Sequence, residues 1–194
     1  MKKTFAIIVA FALTTTVASA LSFDWSSKSI KFDSTNLKNS TAVTGYLIYL
    51  GSGGSLDTTY DVTKDSTASS IIGSIGTDTG SSKSTPNALG KLTGTYVFDY
   101  GTKANGDTFA MLLSYNDGEN TYFNLSSTVV TLSGIVDETS DLDAMDFTSG
   151  FSYSNAGESK TITAGGGWIQ AVPEPSTAAL ALAGLALLIR RRKA

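Results

Sequence analysis

Apolar residues follow three patterns along this chain. Phe5 to Leu13 form one unbroken run, preceded by Met1-Lys2-Lys3 and followed by the small residues Ala18-Ser19-Ala20. A second run, Ala178 to Ile189, is broken only by Gly184 and ends in Arg190-Arg191-Arg192-Lys193. Between them lie short β-branched and aromatic stretches separated by Gly, Asn, Asp and Ser, the pattern of strands and turns. It predicts strands over Ala42–Leu50, Thr95–Tyr100, Thr108–Tyr115, Thr121–Leu125 and Thr128–Leu132, with shorter ones over Ser29–Phe32, Phe147–Tyr153 and Lys160–Thr163. Asn116-Asp117-Gly118-Glu119-Asn120 reads as a turn, since Asp-Gly suits hairpins. Residues 94–133 then read as two linked hairpins or a meander. Helical signals are scarce: Ser66–Ile75 and Thr139–Met145 hold a turn or two each. Residues 76–87, with Pro86, read as a Gly/Ser/Thr loop, and Gly165-Gly166-Gly167 as a flexible or bulged hinge before Trp168. The expectation is an all-β fold, an antiparallel sandwich or barrel-like single domain over about 21–172.

The first segment has the order of a secretory signal peptide: basic, then apolar, then small residues at the two positions a signal peptidase reads. Those positions are Ala18 and Ala20, with cleavage expected after Ala20. The competing reading, a buried N-terminal helix, does not explain that order. Export across a bacterial inner membrane follows.

The last segment reads as a membrane-directed tail. Pro173 and Pro175 break any preceding strand and hold the chain extended. Ser176–Ile189 carries 14 residues without a charge. As a helix it reaches roughly 21 Å, short of the roughly 30 Å hydrocarbon core, so spanning requires local thinning and snorkelling arginines. Arg190, Arg191 and Arg192 belong on the cytoplasmic side. A transmembrane helix over about 176–189 is therefore expected. Val172-Pro173-Glu174-Pro175, the apolar run and the basic cluster together resemble the PEP-CTERM sorting signal of Gram-negative bacteria. The resemblance covers about the last 23 residues and nothing of the middle. It implies recognition by exosortase, a membrane-embedded protease that removes such tails and passes proteins to the outer surface or extracellular matrix. Pro173, Glu174, Pro175 and the arginines are then a substrate signal for another enzyme. A plain C-terminal anchor needs apolar length and flanking charge, but no Pro-Glu-Pro.

Composition narrows the chemistry. The chain has 26 Ser, 26 Thr, no Cys and no His. That excludes disulfides, thiolate metal sites, a cysteine nucleophile and any imidazole base. Residues 21–172 carry eight lysines, no arginine and sixteen acidic residues, a formal charge of −8 against −3 for the whole chain. Such a surface repels phosphate backbones, so nucleic acid is not an expected partner.

Three kinds of candidate site remain. Residues 137–146 hold five acidic side chains, among them Asp137, Asp141 and Asp143, enough to offer oxygens to calcium. The EF-hand spacing is absent, and a solvated loop with a capped helical turn explains the same residues. Asn105-Gly106-Asp107 with residues 116–120 is a weaker metal candidate that turn chemistry also explains. Trp25 and Trp168 are the candidates for stacking on a sugar, against the simpler reading that they close the core. The tyrosines on the strands suit cross-strand packing. Catalysis would need a carboxylate pair or a Ser-Lys arrangement. No GxSxG, companion-motif SxxK or phosphate loop supports either. Asn39-Ser40-Thr41 and Asn124-Leu125-Ser126 match the glycosylation sequon, which in a bacterial chain reads as chance. The expectation is an exported structural or adhesive surface protein without cofactor. A carbohydrate-binding module is the alternative, an enzyme the least favoured. Signal peptidase, exosortase and transiently the inner membrane are the expected partners, with exopolysaccharide as a further one.

Overall fold

The strongest apolar run of the middle of the chain, Asp107–Asn116, is the centre of the fold. The computed structural model describes residues 20–99, 101–133, 145–146, 150–154 and 160–171. Its elements are β1 (Ala20–Ser26), β2 (Lys31–Phe32), β3 (Thr35–Asn36), β4 (Val43–Ser52), β5 (Tyr60–Asp61), α1 (Ala68–Ile75), β6 (Thr77–Ser84), β7 (Thr93–Asp99), β8 (Asp107–Asn116), β9 (Thr121–Leu125), β10 (Val130–Thr131), β11 (Met145–Asp146), β12 (Thr161–Ile162) and β13 (Ile169–Gln170). Among the described residues the fold is all-β apart from one short helix, with sheets that are open rather than closed into a barrel.

The larger sheet runs β13-β9-β8-β4-β6, with β10 also on β8, and all its pairings are antiparallel. Its central strand is buried on both faces, which is why β8 reads as a continuous apolar run. Phe109, Met111 and Leu113 point one way, Ala110 and Leu112 the other. The alternation continues on β4, where Val43 and Leu47 join the first set and Ile48 the second. Each face has its own cover. A smaller sheet, β11-β1-β7, lays Leu21, Phe23, Trp25 and Phe98 on the first face. There Phe23 meets Phe109 and Tyr96 edge-on at 5.1 and 5.4 Å. α1 covers the second face with Ile71 and Ile72, beside Val62 and Ile162 from the neighbourhood of β5 and β12. The arrangement is sandwich-like on the first face. β1–β11 is parallel.

Several elements depart from the sequence reading. β7 does not join β8 in a meander; it crosses to the smaller sheet and pairs with β1 from Ala20↔Asp99 to Ser26↔Thr93. Sequence reading missed β1 because its alternating Leu21, Phe23 and Trp25 lie directly behind the N-terminal apolar segment. Residues 76–87 are not all loop. β6 occupies most of them, pairing with β4 from Thr44↔Ser84 to Tyr49↔Thr77. As an edge strand exposed over most of its length, it needs no apolar face, so TDTGSSKS gave no strand pattern. Thr128–Leu132 shrinks to β10, because Ser126 interrupts the ladder. Its hydroxyl accepts from Met111 N at 3.1 Å while its own N–H donates to Met111 O at 2.9 Å. The three-glycine segment is a hydrogen-bonded turn, with Gly165 N donating to Leu125 O and Gly166 N to Thr163 O.

α1 forms where Ser66–Ile75 suggested it. Thr67 and Ser70 cap it reciprocally, Ser70 N to Thr67 Oγ1 at 3.1 Å and Thr67 N to Ser70 Oγ at 3.0 Å. Of the other helical expectation, 139–144 lies outside the described residues and Met145 belongs to β11. Of Phe147–Tyr153, residues 147–149 lie outside them and Phe151 forms only an isolated bridge to Ser27. Among the described residues no helix is long and apolar enough to cross a membrane. The expected spanning segment, 176–189, lies outside them.

Candidate functional site

Both ends of the fold sit close to the expected processing sites. β1 begins pairing at Ala20, the residue before the expected signal-peptidase cut. At the other end, Ile169↔Phe123 and Gln170↔Tyr122 seat β13 on β9, and Ala171 N donates to Thr121 O at 2.8 Å. Only Val172 separates that last bonded residue from Pro173. In sequence, the Pro-Glu-Pro segment thus begins two residues after Ala171. Ala18, Pro173, Glu174, Pro175, Arg190, Arg191 and Arg192 lie outside the described residues.

Trp25 is 1% and Trp168 3% exposed, and both belong to the core between the sheets. Trp168 Nε1 donates to Lys31 O at 2.7 Å. Its ring packs edge-on against Phe32 and Tyr115 at 5.8 and 5.9 Å. Stacking on a sugar needs an open ring face, and at 1% and 3% exposure both indoles are almost wholly covered. The cross-strand tyrosine pair Tyr115–Tyr122 stacks at 6.0 Å beside them.

Asp137, Asp141 and Asp143 lie outside the described residues. Among the described residues no cluster of three or more acidic side chains is placed to hold a metal. In the 116–120 turn, Asp117 Oδ1 accepts from Asn120 N at 2.7 Å and Glu119 N at 2.9 Å, and Asn116 Oδ1 from Gly118 N at 2.7 Å. The backbone N–H groups of Asn120 and then Glu119 hold the Asp117 carboxyl below its usual range. Gly118 takes φ 103°, which a side chain would resist. Asp107 Oδ2 accepts from Ala104 N at 2.9 Å. These carboxylates serve their own turns. Asn124 of the second sequon is fully buried.

A concave polar surface lies among the described residues. A groove of about 710 Å³ opens where β6 passes the free edge of β7. Asp24 and Ser26 of β1, Thr93 and Thr95 of β7, Ser82 and Lys83 of β6, and Lys91 line it. Trp25 and Gly94 complete the lining. Hydrogen bonds fix its walls: Trp25 Nε1 to Ser81 Oγ at 3.0 Å, Ser81 Oγ to Thr95 O at 3.1 Å, and Thr95 Oγ1 to Asp24 Oδ1 at 2.6 Å. Asp24 and Thr95 are register partners, as are Ser26 and Thr93. Such a surface can exchange several hydrogen bonds with a polyhydroxylated ligand and offers two ammonium groups to an anion. Sequence reading missed it because its residues come from three separated segments, two of which were not recognised as strands.

No curated protein and no solved structure matches the chain. Residues 171–193 match the PEP-CTERM protein-sorting motif, beginning at the residue directly after β13, and mark the chain as an exported protein targeted to exosortase.

Proposed function

We propose that the chain is a non-catalytic structural or adhesive component of the cell surface or extracellular matrix. The observation that carries this reading is the attachment of the sorting motif directly to the last strand of a β-domain. A signal peptidase cut after Ala20 and an exosortase cut near Pro173–Pro175 would release a unit made almost wholly of that domain. The inner membrane is then a transient station, reached through the segment at about 176–189. The acidic charge of residues 21–172 suits a soluble surface and disfavours nucleic acid.

Intact mass of the protein from separate cell fractions and the medium tests this. A form trimmed at both ends, found at the surface or in the medium, is expected. A chain lacking only residues 1–20 and confined to membranes would overturn the surface role. Hydrolysis of a polysaccharide by the purified protein would overturn the non-catalytic one.

The groove between β6 and β7 favours a second reading, a carbohydrate-binding module. Its support is the hydroxyl-rich lining rather than the two tryptophans named from the sequence. Exopolysaccharide would be the natural partner of such a surface outside the cell.

A further inference from the structure

We infer that the groove between β6 and β7 is a binding site for an acidic saccharide, with Lys83 and Lys91 receiving the sugar's anionic group. This deepens the carbohydrate reading and rests on it.

Charge is the first ground. Residues 21–172 carry twice as many acidic as basic side chains, yet among the described residues two lysines line this groove against one carboxylate, Asp24, whose register partner on the other side of β1 is Asp146. Asp24 is already engaged, accepting from Thr95 Oγ1 at 2.6 Å. Lys83 and Lys91 are exposed, and neither ammonium is paired with a carboxylate among the described residues. At physiological ionic strength charges are screened over about 8 Å, so the charges that line the groove weigh most on a ligand within it.

Form is the second ground. The volume of about 710 Å³ lies within the range of small-molecule sites. Ser26, Ser82 and Thr93 supply hydroxyls that both donate and accept, as sugar hydroxyls require, and Thr95, whose proton goes to Asp24, can still accept. The lining is also held in place. Thr93 and Thr95 stand on a strand paired with β1. Lys83 stands opposite Gly45 in the β4–β6 ladder, and Lys91 N donates to Asn87 Oδ1 at 3.1 Å. Little ordering is then required on binding. A neutral sugar would use the hydroxyls and leave both ammonium groups unmatched; a uronate uses both sets.

The test is titration of the full-length chain in mild detergent with oligogalacturonate and with a neutral maltooligosaccharide of equal length. The expected result is uronate binding that weakens with salt and falls at least tenfold in the Lys83→Gln, Lys91→Gln double variant. The Lys38→Gln, Lys64→Gln variant, altered at exposed lysines outside the groove, should bind as the parent does. Equal binding of the neutral sugar, unaffected by the groove variant, would overturn the acidic-ligand inference and leave the carbohydrate reading standing. An equal loss in both lysine variants would reduce the effect to general charge and overturn the site. Binding of neither sugar would overturn the site and the carbohydrate reading together.

Discussion

Trp25 lies against the backbone of Gly94 and donates its indole N–H to Ser81 Oγ at 3.0 Å, tying the smaller sheet to the edge strand of the larger one. The contact depends on glycine. A Cβ at position 94 would sit 2.3 Å from Trp25 Cζ2, inside the ring's van der Waals surface. Gly94→Ala should therefore shift the indole or β7 and lower stability by about 1–3 kcal/mol, as overpacking does. A lower urea midpoint checks this. An unchanged midpoint would mean that the two sheets slide apart freely.

The cap of α1 gives a second prediction. Thr67→Ala removes the acceptor for Ser70 N and should cost about 1 kcal/mol. Ser70→Ala removes the reciprocal bond from Thr67 N. Because the two bonds form one unit, the double variant should lose less than the sum of the single losses. Denaturant melts of the four proteins measure that coupling.

Tyr153 links burial to pH. Its hydroxyl oxygen is buried with no hydrogen-bond partner among the described residues, and burial pushes its pKa well above the usual 10.0. A raised folded-state pKa keeps its stabilising contribution intact below the unfolded value. The contribution is lost as pH rises beyond that value, because the unfolded chain gives up its proton first. Tyr153→Phe should hold or raise neutral-pH stability by about 1 kcal/mol, since an unmatched polar group leaves the interior. Its stability should also decline less steeply above about pH 10. Urea midpoints across that range decide it, and a large loss at neutral pH would reveal a partner for the hydroxyl.

Asp117 acts on the acid side. Its folded pKa lies below the usual 3.8 because backbone N–H groups bind the charged form. Its contribution is therefore present above the unfolded value and lost as pH falls through the lower folded one. The difference in urea midpoint between the parent and Asp117→Asn should shrink on acidification below 3.8. A difference independent of pH would mean that geometry, not charge, holds the turn.

What could be read from the sequence followed the physics of burial. β8 and β4 announced themselves because both faces are covered, and the 116–120 turn because its carboxylate and amide close their own backbone. α1 was legible from its short apolar stretch. β6 was not, since an exposed edge strand owes its place to the ladder with β4 rather than to apolar side chains. The partner of β7 was equally hidden, because pairing across seventy residues leaves no local trace. The groove inherited both gaps: Asp24, Lys83 and Thr95 become neighbours only when β1, β6 and β7 are placed. Trp25 and Trp168 lie in the core, the simpler of the two readings their positions allowed. The sorting motif was legible because it is read as a linear segment, not assembled by folding.

That separation between folded and linear parts yields the last prediction. Ile169 is fully buried on β13, whereas the Pro-Glu-Pro segment starts two residues beyond Ala171, which among the described residues makes the last backbone bond to β9. β9 begins at Thr121, to which Ala171 N already donates, so β9 offers no further residue for ladder pairing. Prolines 173 and 175, lacking N–H groups, would resist such pairing in any case. Stability and processing should then come apart. Ile169→Ala removes buried methylenes and should cost about 2–4 kcal/mol, with the trimmed product still formed from the folded fraction. Pro173→Ala with Glu174→Ala should leave the urea midpoint unchanged while an untrimmed chain accumulates in the membrane fraction. Intact masses by fraction, read beside urea melts of the same proteins, check both halves. Loss of trimming in Ile169→Ala at full recovery of folded protein would show that β13 itself belongs to the signal.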